Sequence, residues 1–408
     1  MSEVISPPDA VLDPALVVAL PRTNPLDWRS RIAEVAAVAA RHADEVDREG
    51  RFPAEAVAAM RKSGLLAAWV PSERGGPQLG LREIAAMCAQ VGGGCGASGM
   101  VFAMHQIKMS CVVHHAGDSN WYSGLQEKVV KDALLLASVT SEMGVGGDIR
   151  RSIAAVMRDG DGFRLAKHGS VVSYGAYADA LMITARADEN SAPNAQVMVT
   201  VLKEQYQLER TGKWDTLGMR GTCSDAFKIQ AEGACEQIFK APFAEIIANT
   251  MLPVSHILWA GVWFGIAHSA LLRVRGHLRA VMKQNAGQLP AAATELPDLV
   301  AQVQLLHARL MSAISRFEAH WASGSTSMPM SLTTDLTLLK STMSEGCLAV
   351  VQKALSTVGF AGYRAEGPSS VSRHLRDLHS GPLMVNNARL IETMSSFLLL
   401  DPMTFAIA

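Results

Sequence analysis

Leu135-Leu-Ala-Ser-Val-Thr-Ser-Glu-Met-Gly-Val-Gly-Gly-Asp148 is where the chain changes character. Upstream, apolar residues recur at helical spacing over Trp28–His42, Pro53–Ser63, Leu81–Val91, Ala97–His115 and Lys128–Leu135. Pro53 suits a first helical turn and Gly64 a helix end. Gly92-Gly-Gly-Cys-Gly96 reads as a break between two helices. Downstream come short alternating or β-branched segments: Leu135–Val139, Ser152–Arg158, Gly162–Leu165, Val171–Ser173, Ala180–Ala185, Gln196–Leu202 and Phe227–Gln230. Turn residues separate them, which predicts a small antiparallel barrel or sandwich. Helical spacing returns at Pro253 and persists, with breaks at 287–297, 323–329 and 359–368. The expected class is therefore α+β, mainly α. A loose proline-punctuated arm covers 1–26, a helical domain 27–136, a β domain 137–245 and a helical bundle 246–408. No strand–helix unit repeats, which argues against a doubly wound nucleotide-binding sheet.

Composition narrows the partners. Over 408 residues the net charge is −1, which gives no electrostatic footprint for nucleic acid. Apolar residues make up 49% and aromatic ones only 6%, as expected of helices packed on helices. The six cysteines show no CxxC spacing and read as reduced, buried thiols. No histidine has an acid or cysteine beside it at metal-ligand spacing, so no metal site is expected. Met1 to Pro25 lacks a basic-then-apolar signal pattern, and apolar stretches such as Ile257–Ala267 are too short to span a bilayer. The expected location is cytoplasmic, without a membrane partner.

Five local motifs follow in a fixed order. Ala137-Ser-Val-Thr-Ser-Glu-Met-Gly-Val-Gly-Gly-Asp148 resembles the acyl-CoA dehydrogenase segment in which Thr-Glu-Pro-Gly precedes Ala-Gly-Ser-Asp. Gly160-Asp-Gly-Phe-Arg-Leu165 is similar to the hairpin after it, and Val171-Val-Ser-Tyr-Gly175 with Ala178-Asp179 to the Ile-Thr-Asn-Gly segment and its Ala-Asp pair. Leu217-Gly-Met-Arg-Gly-Thr-Cys-Ser-Asp225 resembles Gly-Met-Arg-Gly-Ser; Gly359-Phe-Ala-Gly-Tyr363 and Arg376-Asp377 resemble the Gly-Gly-x-Gly-Tyr turn and the Arg-Asp pair. The resemblance covers about residues 28 to 400. It implies the acyl-CoA dehydrogenase fold, with a helical domain, a β-barrel domain and a C-terminal four-helix bundle. It also implies a homotetramer, and a flavin between the β domain and the bundle. Ser141 and Ser173 sit where the family places flavin-contacting hydroxyls, and the backbone groups of Thr140 and Val172 would serve the same ring edge. Gly146, Gly359 and Asn387 are further implied cofactor contacts.

Two departures stand out against that resemblance. The family abstracts a proton beside a thioester with a Glu at one of two places. One place falls on Met384 or Val385, within Ser380-Gly-Pro-Leu-Met-Val-Asn-Asn-Ala-Arg389. The other falls on Ser255, with His256 beside it, before Ile257-Leu-Trp-Ala-Gly261. Neither carries an acid. Asp377 is expected to be structural. The Arg-x-x-Phe-Gly segment that reaches a neighbour's FAD is replaced by Arg275-Gly-His-Leu-Arg-Ala-Val-Met-Lys-Gln-Asn285, which opens FMN as well as FAD.

The two-component flavin monooxygenases of the dibenzothiophene monooxygenase type share the missing Glu and carry histidines near His105 and His379. Resemblance to them implies that reduced flavin, supplied by a separate reductase, reacts with O2. The resulting C4a-hydroperoxyflavin would hydroxylate a small or medium apolar substrate. His105 and His379 are the catalytic candidates, expected to approach one cavity, because that chemistry needs a donor near the peroxide oxygens. The adjacent His114 and His115 read as structural. Two alternatives stay open: an acyl-CoA or acyl-carrier-protein dehydrogenase or oxidase with a displaced base, and a flavin-binding scaffold without turnover.

Overall fold

A computed structural model describes residues 27–325 and 327–399; the expected loose arm over 1–26 lies outside them. The first helix, α1 (Trp28–Glu49), starts where the Asp27 carboxylate accepts from Ser30 N at 3.2 Å and stops at Gly50, whose φ of 62° is left-handed. It buries Ile32, Val35, Ala39, Ala43 and Val46, one face at helical spacing. After α2 (Ala54–Lys62) come α3 (Leu81–Gly94) and α4 (Gly96–His115). The glycine run does not break α3 where expected; only Cys95 does, with extended backbone. The glycines instead permit close packing. A Cβ on Gly92 would stand 2.8 Å from Val262 O, and one on Gly94 2.5 Å from Ala36 O. The last helix of this part, α5 (Asn120–Asp132), begins eight residues earlier than the expected Lys128. Ser119 caps it, and the Tyr122 hydroxyl ties it to the strands, donating to Gln237 O at 2.7 Å.

Seven strands follow: β1 (Leu136–Val139), β2 (Val156–Asp159), β3 (Gly162–Gly169), β4 (Ala180–Arg186), β5 (Gln196–Leu202), β6 (Tyr206–Gly212) and β7 (Ala226–Ala234). They form two sheets, β1-β4-β5 and β2-β3-β7-β6. The expectation of purely antiparallel pairing is corrected at one place, since β1 runs parallel to β4. Val171–Ser173 is a turn rather than a strand; Val172 N bonds Asp225 O, and Gly175 N returns to Val172 O. The sequence also hides β6. It is an edge strand in which Tyr206 and Leu208 alternate with exposed Gln207 and Glu209 for only four residues before exposed Arg210 ends the pattern.

Beyond α6 (Phe243–Ile246), a π turn over Ile247–Met251 leads into α7 (Leu252–Gln284). Then come α8 (Leu296–Ala322), α9 (Met330–Val358), the single turn α10 (Phe360–Tyr363), α11 (Ser372–Leu378) and α12 (Asn387–Leu398). Helix α9 packs on α7, α8 and α12, giving the bundle; α7 also packs on α3 and so joins the two helical parts. The continuous helical run Phe243–Gln284 is long and apolar enough to cross a membrane, unlike the stretches judged from sequence. Its most apolar window is 78% buried inside the protein.

Gly94→Ala tests the close contact of α3 with α1. The added methyl meets backbone, which cannot rotate away, so unfolding in urea should show a loss of about 1–3 kcal/mol.

Candidate active site

The expected ring-binding edge is β1 and the segment leaving it. Strand β1 is an edge strand, paired only with β4. On its open side, Leu136 N donates to His105 Nδ1 at 3.0 Å, and the Tyr174 hydroxyl donates to Leu136 O at 2.9 Å. Backbone groups alternate sides along a strand. Ser138 therefore presents its N–H and C=O to that same open side, beyond the reach of His105 and Tyr174, and Thr140 follows directly after the strand.

Two hydroxyls stand at this edge, and proton counting fixes what each can do. Ser141 Oγ donates to Val171 O at 2.7 Å and accepts from Val171 N at 3.0 Å. Thr222 Oγ1 donates to Met219 O at 2.9 Å, so it accepts from Ser224 Oγ, 2.8 Å away; Ser224 in turn accepts from Ser173 Oγ at 2.9 Å. Both serines have spent their protons and retain only lone pairs, which suit a ring N–H. Met143 and Val171, 52% and 45% exposed, supply apolar surface beside them. An isoalloxazine needs such a polar rim with an apolar flank, so Thr140, Ser141 and Ser173 fit a flavin ring.

The other expected contacts need correction. The Val172 backbone is consumed by its own turn, as described above. Gly146 O accepts from Arg389 Nη2 at 2.9 Å. The Asn387 amide is fully used: Oδ1 accepts from Lys340 Nζ at 2.6 Å, and Nδ2 donates to Ser344 Oγ at 3.1 Å and Glu345 Oε1 at 2.8 Å. Gly359 has φ +68° and nothing packed against it. It lies fifteen residues beyond Ser344 on α9, hence about 22 Å along the axis. One ring cannot touch both Gly359 and the Asn387 region.

His105 is corrected more sharply. It is fully buried, with Nε2 at 2.7 Å from Leu66 O and Nδ1 accepting from Leu136 N. Nε2 therefore carries the proton, and neither nitrogen is left for a ligand. Burial pulls its pKa down to about 4, outweighing the Leu66 hydrogen bond. His379 is half-buried at the end of α11, and its ring has no hydrogen bond to a described residue. Among the described residues, no hydrogen bond or ring contact links the two histidines.

Acids near the site are also committed. Glu142 is buried and accepts from Ser152 Oγ, Ile153 N and Ala154 N at 2.6, 3.1 and 2.7 Å, with Lys167 Nζ at 3.5 Å. Asp377 accepts from Met219 N at 2.7 Å, while Arg376 pairs with Asp47 rather than with its neighbour. At the two expected base positions, Ser255 Oγ donates to Met251 O at 2.5 Å, and Met384 and Val385 are apolar.

Sequence reading missed two lysines buried in the helical parts. Lys340, fully buried, donates to Val385 O at 2.8 Å and to Asn387; burial lowers its pKa to about 8. Lys108, 2% exposed, has Met251 Sδ at 3.1 Å as its acceptor, and burial lowers its pKa as well. A lysine amid an apolar helix such as Ile107-Lys-Met109 was the available signal.

Comparison with known proteins gives the chain's family and fold. The family model described as acyl-CoA dehydrogenase, N-terminal domain, matches residues 27–120, and that of the C-terminal domain matches 257–383. The amino sugar nitrososynthase DnmZ of Streptomyces peucetius is 24% identical over 352 residues, covering 83% of this chain and 84% of that protein. The bovine mitochondrial short-chain specific acyl-CoA dehydrogenase is 23% identical over 337 residues, covering 82% and 80%. FMN-bound TdsC from Paenibacillus sp. A11-2 superposes with a TM-score of 0.80 at 19% identity, covering 91% of this chain and 96% of that one.

His105→Ala should act on the fold. It leaves Leu66 O and Leu136 N–H unpaired in the core, a loss of about 2–4 kcal/mol measurable by denaturant unfolding. His105 also sets a pH dependence. Its folded pKa of about 4 lies below the ordinary 6.5, so the unfolded chain binds the extra proton between those values. Its contribution is intact above pH 6.5 and falls as pH drops toward 4, by roughly 3 kcal/mol. Melts from pH 4 to 7 should flatten in part in the variant.

Proposed function

This chain belongs to the acyl-CoA dehydrogenase superfamily, and we propose that within it the protein is a reduced-flavin-dependent monooxygenase acting on a small or medium apolar substrate at S, N or C. It is a flavin-dependent oxidoreductase on the strength of that family and its relatives. The observation that carries the finer reading is the absence of a usable base. Neither family base position holds a carboxylate, and Glu142, the acid nearest the ring edge in sequence, has four partners in place. Desaturating a thioester requires a carboxylate free to reach the substrate proton, and both oxygens of Glu142 are already engaged by two backbone N–H groups and a hydroxyl, with an ammonium beside them.

A reduced flavin held there by Thr140, Ser141 and Ser173 would supply the two electrons that let one atom of O2 enter the substrate while the other leaves as water. The chain's own contribution is to orient and shield. Thr140 offers backbone groups where it continues the open edge of β1, and Ser141 and Ser173 accept ring N–H groups. Met143 and Val171 exclude water from the ring face. His379 is the remaining donor for the reacting oxygen, since its ring is uncommitted.

FMN suits the site better than FAD, because the segment 275–285 lacks the family's Arg-x-x-Phe-Gly pattern; TdsC was solved with FMN. A separate reductase in the cytoplasm would deliver it. The protein assembles as a homotetramer in which the Gly359 turn serves another subunit's site. Phe360 and Tyr363 on that turn are 89% and 70% exposed in the single chain.

Stopped-flow mixing of protein, reduced FMN and O2 should delay the return of oxidised-flavin absorbance relative to free reduced FMN. Ser173→Ala should weaken FMN binding about ten-fold. His379→Ala should cut product formation by about 10²–10³ and release hydrogen peroxide in its place. Steady desaturation of an acyl-CoA panel by the oxidised holoenzyme would overturn the reading.

A further inference from the structure

Val385 holds a backbone conformation that its side chain resists. Its φ is +50°, and among the described non-glycine residues with positive φ it alone is β-branched. Two branches on Cβ crowd the left-handed region, where glycine and asparagine are at ease. The turn around it is closed on both sides. Met384 N donates to Ser380 O at 2.9 Å, and Asn387 N returns to Pro382 O at 3.0 Å. Strain of this kind persists only where other contacts impose it.

The imposing contact comes from α9. Lys340, fully buried, donates to Val385 O at 2.8 Å and to Asn387 Oδ1 at 2.6 Å. Both acceptors lie in one short segment. Among the described residues no carboxylate forms an ion pair with this ammonium; Glu345, on the same helix, bonds Asn387 Nδ2 at 2.8 Å instead. An ammonium without a paired acid is costly to bury, and a methionine would fill similar space without that cost. The charge therefore acts on the 380–387 segment. Trp263 backs both partners: the ammonium stands 5.9 Å from the ring centre, and a Cβ on Gly381 would stand 3.4 Å from the ring.

The held segment begins next to His379, the proposed donor, and ends in α12. One of the superfamily's two base positions falls within it, on Met384 or Val385, and both of these side chains pack against the core. Released from the ammonium, Val385 would return to negative φ and swing the chain beyond it to a new direction.

We propose that Lys340 is a positioning residue: by gripping the Val385 carbonyl it holds 380–387 in a strained turn, which seats Met384 and Val385 against the core and fixes the backbone that follows His379. The proposal rests on the monooxygenase reading for what this placement serves, the shielding of the reacting oxygen from water, but not for the placement itself.

Hydrogen exchange over peptides covering 380–387, in the full chain loaded with FMN, tests the grip. Lys340→Met should quicken exchange of the bonded amides of Met384 and Asn387 by about ten-fold or more. A second substitution separates strain from ordinary packing. In Lys340→Met/Val385→Gly the backbone no longer resists the turn, so exchange should return to within about three-fold of the parent. Lys340→Met/Val385→Ala removes the valine branches but keeps a Cβ at positive φ, and should stay fast. Unchanged exchange in Lys340→Met overturns the proposal, as does a glycine that fails to restore it or an alanine that restores it equally. Should Lys340→Met alone fail to fold, the glycine double variant should fold with parent-like exchange, and its failure also overturns the proposal. In turnover, Lys340→Met should send about ten-fold more of the reduced FMN to hydrogen peroxide, and the glycine double variant should reverse this. Exchange that responds without any change in coupling to product overturns the role in the reaction. A parent that forms no product sinks the monooxygenase reading and leaves the exchange series to decide the grip.

Discussion

One neutral imidazole joins the helical part to the strands. His105 sits on α4, donates to Leu66 O and accepts from Leu136 N at the start of β1. This bridge fixes the open edge of β1, and the residues that continue that edge, Thr140 and Ser141, are those best suited to hold a flavin ring. The arrangement works only while Nδ1 is unprotonated. Burial ensures this, because a charged ring in that position would lose its solvation and gain no counterion. The residue serves the site by placing its scaffold, not by touching a ligand.

The same logic separates the buried charges. Lys167 and Glu142 lie 3.5 Å apart in the β domain, each with further hydrogen bonds, so their burial is compensated. Lys340 has two oxygen acceptors and stabilises a loop. Lys108 has a thioether, a poor partner for an ammonium, and its burial is the least compensated of the three. On α7, His256 Nε2, Trp259 Nε1 and Trp263 Nε1 are likewise buried without a partner among the described residues.

Proton counting also gives the rim its chemistry. A hydroxyl has one proton, and the contacts of Ser141 and Thr222 use theirs on carbonyls. Ser224 and Ser173 must then each donate along the chain. The rim thereby offers acceptors from side chains and donors from the β1 backbone, a division that the bare identity of two serines does not convey.

The order helical, β, helical was legible in the sequence because periodicity is a local property, set by the side-chain spacing of each element. The missing carboxylates at Ser255, Met384 and Val385 were legible as well, since a residue type needs no coordinates. What tertiary structure alone decided was availability. Whether the Gly92–Gly94 run breaks a helix or lets another backbone approach depends on Val262 and Ala36, each far away in sequence. Whether a histidine is free depends on partners equally remote: Leu66 and Leu136 occupy both nitrogens of His105, while Leu336 occupies one nitrogen of His256. Asn387 and Val172 looked available for the same reason, their partners being invisible along the chain. A hydrogen bond consumes a donor and an acceptor wherever they meet in space, so the sequence determined which groups exist and the fold determined which remained to do chemistry.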